Sequence, residues 1–124
     1  MQTQQPDDFV VEVRHLGTSV EIAVSGELDI ATSPALRRDL ATVLRDRPEI
    51  VVVDLRRVGF IDSSGIHALL ATRSHAMAAG TRLVVVRPTG VADRAFTISG
   101  LDGMFPPLED LESSTAAAPS SRAA

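Results

Sequence analysis

The stretch that most constrains this chain is Val51 to Ile66, VVVDLRRVGFIDSSGI, where an apolar run gives way to two arginines and then to Asp-Ser-Ser-Gly. Ile50 to Val53 are β-branched without interruption, the pattern of a strand covered on both faces, as in a mostly parallel sheet. Arg56-Arg57 reads as part of a short basic link. Asp62, Ser63 and Ser64 then read as a helix start at the strand's carboxyl end. In open α/β sheets, sites gather on that edge because strand ends and helix N-termini converge there. A hydroxyl so placed is exposed and close to unpaired backbone N–H groups, so the stretch reads as a switch.

The flanking sequence supplies the sheet and its cover. Alternation in Phe9, Val11, Val13 and then Val20, Ile22, Val24 predicts a hairpin turning at Gly17-Thr18. Thr32-Ser33-Pro34 predicts a helix start with a capping hydroxyl and a first-turn proline, carrying Leu36, Leu40, Val43 and Leu44 inward and stopped by Pro48. Ile66, Leu69, Leu70 and Met77 predict the stripe of a second helix, capped by Gly80. Leu83 to Val86 reads as another buried strand. A third helix opens at Pro88-Thr89, bears Val91, Ala95 and Ile98 on one face and closes at Gly100. Leu101 and Phe105 return to the core, and Leu108 and Leu111 permit one more short helix. The order β-β-α-β-α-β-α implies an α/β fold, a mixed sheet backed by helices. At 124 residues and 44% hydrophobic content there is room for one domain. The expected division is a loose arm at 1–8, the folded domain at 9–112 and a disordered Ser/Ala/Pro tail at 113–124.

Composition removes several chemistries. There is no cysteine, so thiol nucleophiles, disulfides and cysteine-ligated zinc are excluded. All 12 basic residues are arginine, which excludes a Walker-type lysine, a Schiff base and a kinase-type ATP lysine within the chain. A net charge of −4 with no Trp or Tyr disfavours direct nucleic-acid binding. Arg37, Arg38, Arg45 and Arg47 read as a solvated face mixed with Asp39, Asp46 and Glu49. No apolar run approaches the roughly 20 residues of a bilayer span, and the N-terminus lacks a signal-peptide pattern, so a cytoplasmic protein without membrane insertion is expected. The exposed edge of the hairpin offers a route to self-association.

Several readings compete at the switch. Asp62, Ser63 or Ser64 has to cap the helix whatever else it does, Asp29 reads equally as a turn residue, and Gly65 as relief of crowding. His67 and His75 lie eight residues apart, about 12 Å along a helix, too far to share a metal, and His15 belongs to another element. A serine hydrolase would need a Gly-x-Ser-x-Gly elbow, which is absent. Neighbours such as Asp62, Ser63 and His67 on one helical turn rarely give triad geometry. No catalytic, metal or cofactor site is expected.

In four segments the chain resembles the STAS domain, and more closely its bacterial anti-sigma factor antagonists, the SpoIIAA-like group: GELD at Gly26 to Asp29, VDLRRVGFIDSSG at Val53 to Gly65, the short strand before Pro88-Thr89, and ISGL at Ile98 to Leu101. The resemblance spans roughly residues 9 to 111. It implies that Ser63, the first serine after the aspartate, is phosphorylated by a partner that is at once an anti-sigma factor and a serine kinase. That partner would bring the ATP, and a phosphatase would restore the serine. Ser64 is the competing phosphosite. Asp29, Asp62, Ser64, Gly65 and Ile66 would contact the partner, the unphosphorylated form holding the kinase and freeing a sigma factor. Arg56-Arg57 and His67 depart from the pattern and would tune partner choice, and the last helix is unusually short. The rival roles are a STAS accessory subunit of a membrane transporter and, in another class, a small hydrolase using Ser63 or Ser64.

Overall fold

The structure, a computed structural model, describes residues 9–105. The arm expected at 1–8, the short helix expected around Leu108 and Leu111, and the tail at 113–124 lie outside the described residues. Strands β1 (Val10–Leu16) and β2 (Ser19–Leu28) form the expected antiparallel hairpin, with Gly17 in the turn at φ 65°. Helix α1 (Ser33–Leu44) leads to β3 (Ile50–Ile61), and α2 (Ser63–Ala79) leads to β4 (Arg82–Val86). A 3₁₀ turn (Gly90–Asp93) and α3 (Arg94–Ile98) follow. The sheet order is β1-β2-β3-β4, with β3 parallel to both β2 and β4. Because the order advances one strand at a time, two crossovers of the same hand leave α1 and α2 side by side on one face.

That covered face holds the core. Val20, Ile22 and Val24 from β2 and Val51, Val53 and Leu55 from β3 are buried beneath Leu36, Leu40 and Leu44 of α1 and Leu69 of α2. The intervening Val52 and Asp54 are only half-buried, so β3 is fully covered on one face where its apolar run suggested two. The other face carries polar groups, including an Arg14–Glu21 pair at 2.7 Å.

Arg56-Arg57, expected in a link, lies inside β3, and pairing explains why. Ala23 faces Asp54 but Ser25 faces Arg57, and Gly26 faces Val58 but Glu27 faces Phe60. Two extra residues are thus accommodated in β3. Each bulge resets which side faces inward, so Leu55, Val58 and Ile61 reach the core at a spacing of three while Arg56 and Arg57 face solvent. The Arg56 guanidinium folds back onto Asp54 at 2.8 and 3.0 Å and holds its carboxyl below the usual range.

Three further expectations shift. Thr32 begins α1 without a side-chain cap: its hydroxyl donates backward to the Glu27 carbonyl at 2.7 Å. Of the expected α2 stripe, Ile66 and Leu69 are buried but Met77 is exposed, and the rest of the buried face is Gly65, Ala68, Thr72 and Ala76, small residues that let the helix lie close to the sheet. Val91 and Ile98 are exposed while Ala92 and Phe96 are buried, because the tighter first 3₁₀ turn advances the phase of the segment. Leu101 and Phe105 do return to the core.

Past β4, the chain is gathered by one buried cation. Arg87 is 1% exposed. Its guanidinium donates to Asp93 at 2.6 Å, to Asp102 at 2.7 Å and to the Phe105 carbonyl at 3.0 Å, and lies 4.8 Å from the centre of the Phe96 ring. Phe96 meets Phe105 edge-on at 5.8 Å. Burial pushes the Arg87 guanidinium down, but Asp93 and Asp102 outweigh it and hold it charged.

Replacing Arg87 by Leu should cost about 2–3 kcal/mol, and Lys should recover only part of it because an ammonium cannot reproduce the forked donor set; urea unfolding measures both. Asp54 binds its proton less readily folded than unfolded, so its contribution is complete above the unfolded value of about pH 4 and fades as pH falls through the lower folded value. Asp54→Asn should therefore lower stability by less than about 1 kcal/mol at neutral pH, a gap that closes in acid.

Candidate functional site

The end of β3 delivers the chain to α2 through Asp62, which is extended at φ −111° and ψ −170°. Its carboxylate Oδ1 accepts from the Ser64 N–H at 2.8 Å and the Gly65 N–H at 3.3 Å, and its carbonyl accepts from the Ile66 N–H at 3.1 Å. Among the three candidate caps, the structure therefore gives the work to Asp62. Ser63, the first helical residue, is exposed and its hydroxyl is not needed as a cap.

The neighbouring edge is tied in by the Asp62 N–H, which donates to the Leu28 carbonyl at 3.2 Å. Just beyond Leu28, the Asp29 carboxylate accepts from the Ala31 N–H at 2.9 Å and the Thr32 N–H at 3.1 Å. This is an Asx-type turn that starts α1. Asp29 and Asp62 thus lie at the ends of adjacent paired strands, half-buried, with Ser63 beside them.

Gly65 and Ile66 sit differently from the expectation that they lie on a contact surface. Both are buried. A Cβ on Gly65 would come within 2.8 Å of Leu28 Cγ and 3.0 Å of both Ile61 Cγ2 and the Leu28 carbonyl. Gly65 thus lets α2 rest on the ends of β2 and β3, supporting the surface from beneath. Ser64 is half-buried and faces α1 across a cleft, and His67 is exposed one turn after Ser63. No group of three or more His, Cys, Asp or Glu able to hold a metal occurs among the described residues, and no described helix is long and apolar enough to cross a membrane.

Two apolar side chains at this edge were not picked out from sequence. Ile30, next to Asp29, is 76% exposed, and Phe60, two residues before Asp62, is 43% exposed. They add apolar area to an edge otherwise lined by Asp29, Asp62 and Ser63. Sequence carried no signal for either: Ile30 lies past the end of β2, and Phe60 faces out only because the bulges in β3 set Leu55, Val58 and Ile61 inward.

A family model described as Mlab, STAS domain, matches residues 11–109. The chain belongs to the STAS domain family. Among its relatives, the anti-sigma-F factor antagonist RsfB of Mycobacterium tuberculosis is 35% identical over 101 residues, which is 81% of each chain. The crystal structure of an anti-sigma factor antagonist from Mycobacterium paratuberculosis superposes with a TM-score of 0.77 at 33% identity, covering 91% of this chain and 96% of that one. The anti-sigma factor antagonist SpoIIAA in its unphosphorylated form shares the fold at a TM-score of 0.70 and 21% identity, covering 87% of this chain and 96% of its own. In this STAS domain the glycine contact is open to direct test. Ala at position 65 should destabilise by about 2 kcal/mol despite its better helix propensity, whereas Gly59→Ala, which meets nothing within 4 Å, should be close to neutral in the same thermal melts.

Proposed function

We propose that this chain is a cytoplasmic anti-sigma factor antagonist. Unmodified, it binds an anti-sigma factor that is also a serine kinase, and so releases a sigma factor. Phosphorylation of Ser63 with ATP brought by that kinase ends the complex, and a serine phosphatase resets it. The observation that carries this reading is the geometry of Ser63, an exposed hydroxyl at the start of α2 whose helix is already capped by Asp62. The names of the most similar relatives point the same way. A SpoIIAA structure in the phosphorylated form, at 21% identity and a TM-score of 0.63, supports only the likeness of fold.

The chemistry of such a switch is outward-facing. A phosphate adds about −1.5 to −2 charges. The Ser64 and Gly65 N–H groups already serve Asp62, so the phosphate would stand in solvent next to the Asp62 carboxylate. Bound against a partner, it would lose water without gaining matched donors, a cost large enough to end a micromolar complex. Binding, not catalysis, is the activity, with Asp29, Asp62, Ser64, Ile30 and Phe60 as the contact surface and Gly65 and Ile66 as its support.

Affinity capture from cytoplasmic extract tests the proposal, comparing wild type with Ser63→Ala and Ser63→Asp. Wild type and Ser63→Ala should retain an ATPase-fold kinase that Ser63→Asp loses, while all three unfold within about 0.5 kcal/mol of one another. Retention of the same transporter subunits by all three, or of no kinase by any, would overturn it.

A further inference from the structure

Between α1 and α2 lies a cavity of about 640 Å³, within the usual range for small-molecule sites. Its walls are isoleucine, proline and alanine side chains, and its polar lining includes Ser33, Arg37, Arg38, Thr72, His67 and His75. No carboxylate is among the described residues that line it. In a chain of net charge −4 this is a local reversal of sign. The guanidinium groups of Arg37 and Arg38 have no hydrogen bond or ion pair with any described residue, the Arg38 carbonyl alone accepting from the Thr42 hydroxyl. Of the four arginines grouped in the sequence, Arg37 and Arg38 line the cavity while Arg45 and Arg47 do not.

A second observation points to a ligand. Ser33 is 4% exposed and its Oγ is buried with no hydrogen-bond partner among the described residues. Buried hydroxyls are matched in nearly all folded proteins, and one left unmatched on a cavity wall needs an explanation. Thr32 beside it turns its own hydroxyl back to the Glu27 carbonyl, so the segment had other ways to place a polar group.

From these features we infer that the α1–α2 cavity binds a small organic anion, a phosphate, sulfonate or carboxylate head on an apolar body. The head is paired by Arg37 and Arg38, which can grip oxyanions bidentately. Ser33 supplies a hydroxyl from the floor, and the apolar walls take the body.

The full chain titrated with 1-anilinonaphthalene-8-sulfonate, which has both halves of that chemistry, should show saturable one-site fluorescence enhancement that inorganic phosphate competes away. Arg37→Gln combined with Arg38→Gln should weaken the dye by about tenfold or more. Ser33→Ala should weaken it severalfold while leaving the melting temperature in place, the mark of a hydroxyl that serves a ligand and not the fold. Arg45→Gln should bind as wild type does. Absence of saturable binding, or affinities unchanged in both the double variant and Ser33→Ala, would overturn the assignment. Since none of these measurements involves a kinase or Ser63, their outcome is independent of the switch.

Discussion

The closeness of α2 to the strand ends is the constraint on which the site depends. With 2.8 Å from a hypothetical Gly65 Cβ to Leu28 Cγ, no larger residue allows the helix to descend this far. The same small-residue face continues through Ala68, Thr72 and Ala76, so the helix lies close to the sheet along its length and not only at its start. The Asp62 N–H continues the β2–β3 ladder one residue past the Leu28–Ile61 pair by donating to the Leu28 carbonyl, and that contact joins the β2 end to the α2 start. Because Asp29 follows Leu28 directly, the turn that launches α1 is drawn to the same place. Strand pairing sets the two carboxylates side by side, and the missing methyl group lets α2, with Ser63 at its start, begin directly on those strand ends.

A second anchor lies past β4, where the chain has few regular elements to hold it. Arg87 does there what a small hydrophobic core does elsewhere. It joins the 3₁₀ turn through Asp93, α3 through Thr97 and the Phe96 ring, and the following turn through Asp102 and the Phe105 carbonyl. A buried cation is costly to desolvate. Here that cost is offset because its donors are met, and because both carboxylates keep part of their solvent contact, so neither becomes an isolated buried charge.

Sequence periodicity conveyed the order of elements, the hairpin, the terminal Gly80 cap and the edge where Ser63 sits, since these rest on local patterns that tertiary contacts reinforce. It failed where geometry changes the period. The two bulges in β3 turn an alternation of two into a spacing of three, which is why Arg56-Arg57 read as a link. The 3₁₀ turn before α3 displaced Val91 and Ile98 outward by the same kind of phase change. In α2, bulk misled: Met77 is the larger apolar side chain, but close approach favours Ala76. Arg87 gave no signal, because an arginine next to a proline looks like any surface residue until its two aspartates arrive from 6 and 15 residues away.

At the site itself the division of labour between neighbours matters most. Had Ser63 or Ser64 capped α2, a modification there would have removed a helix cap, and the fold would have changed along with any binding surface. Asp62 takes that role through Ser64 and Gly65. The serine is then spared structural work, and a change in its charge alters the surface while the scaffold beneath stays put. The same separation explains why the support for the surface, Gly65 and Ile66, is buried while the groups that meet solvent, Ser63, Ile30 and Phe60, make no demand on the core. Chemical change at Ser63 would therefore leave the fold beneath it in place, which is what the proposed switch requires of a domain of this size.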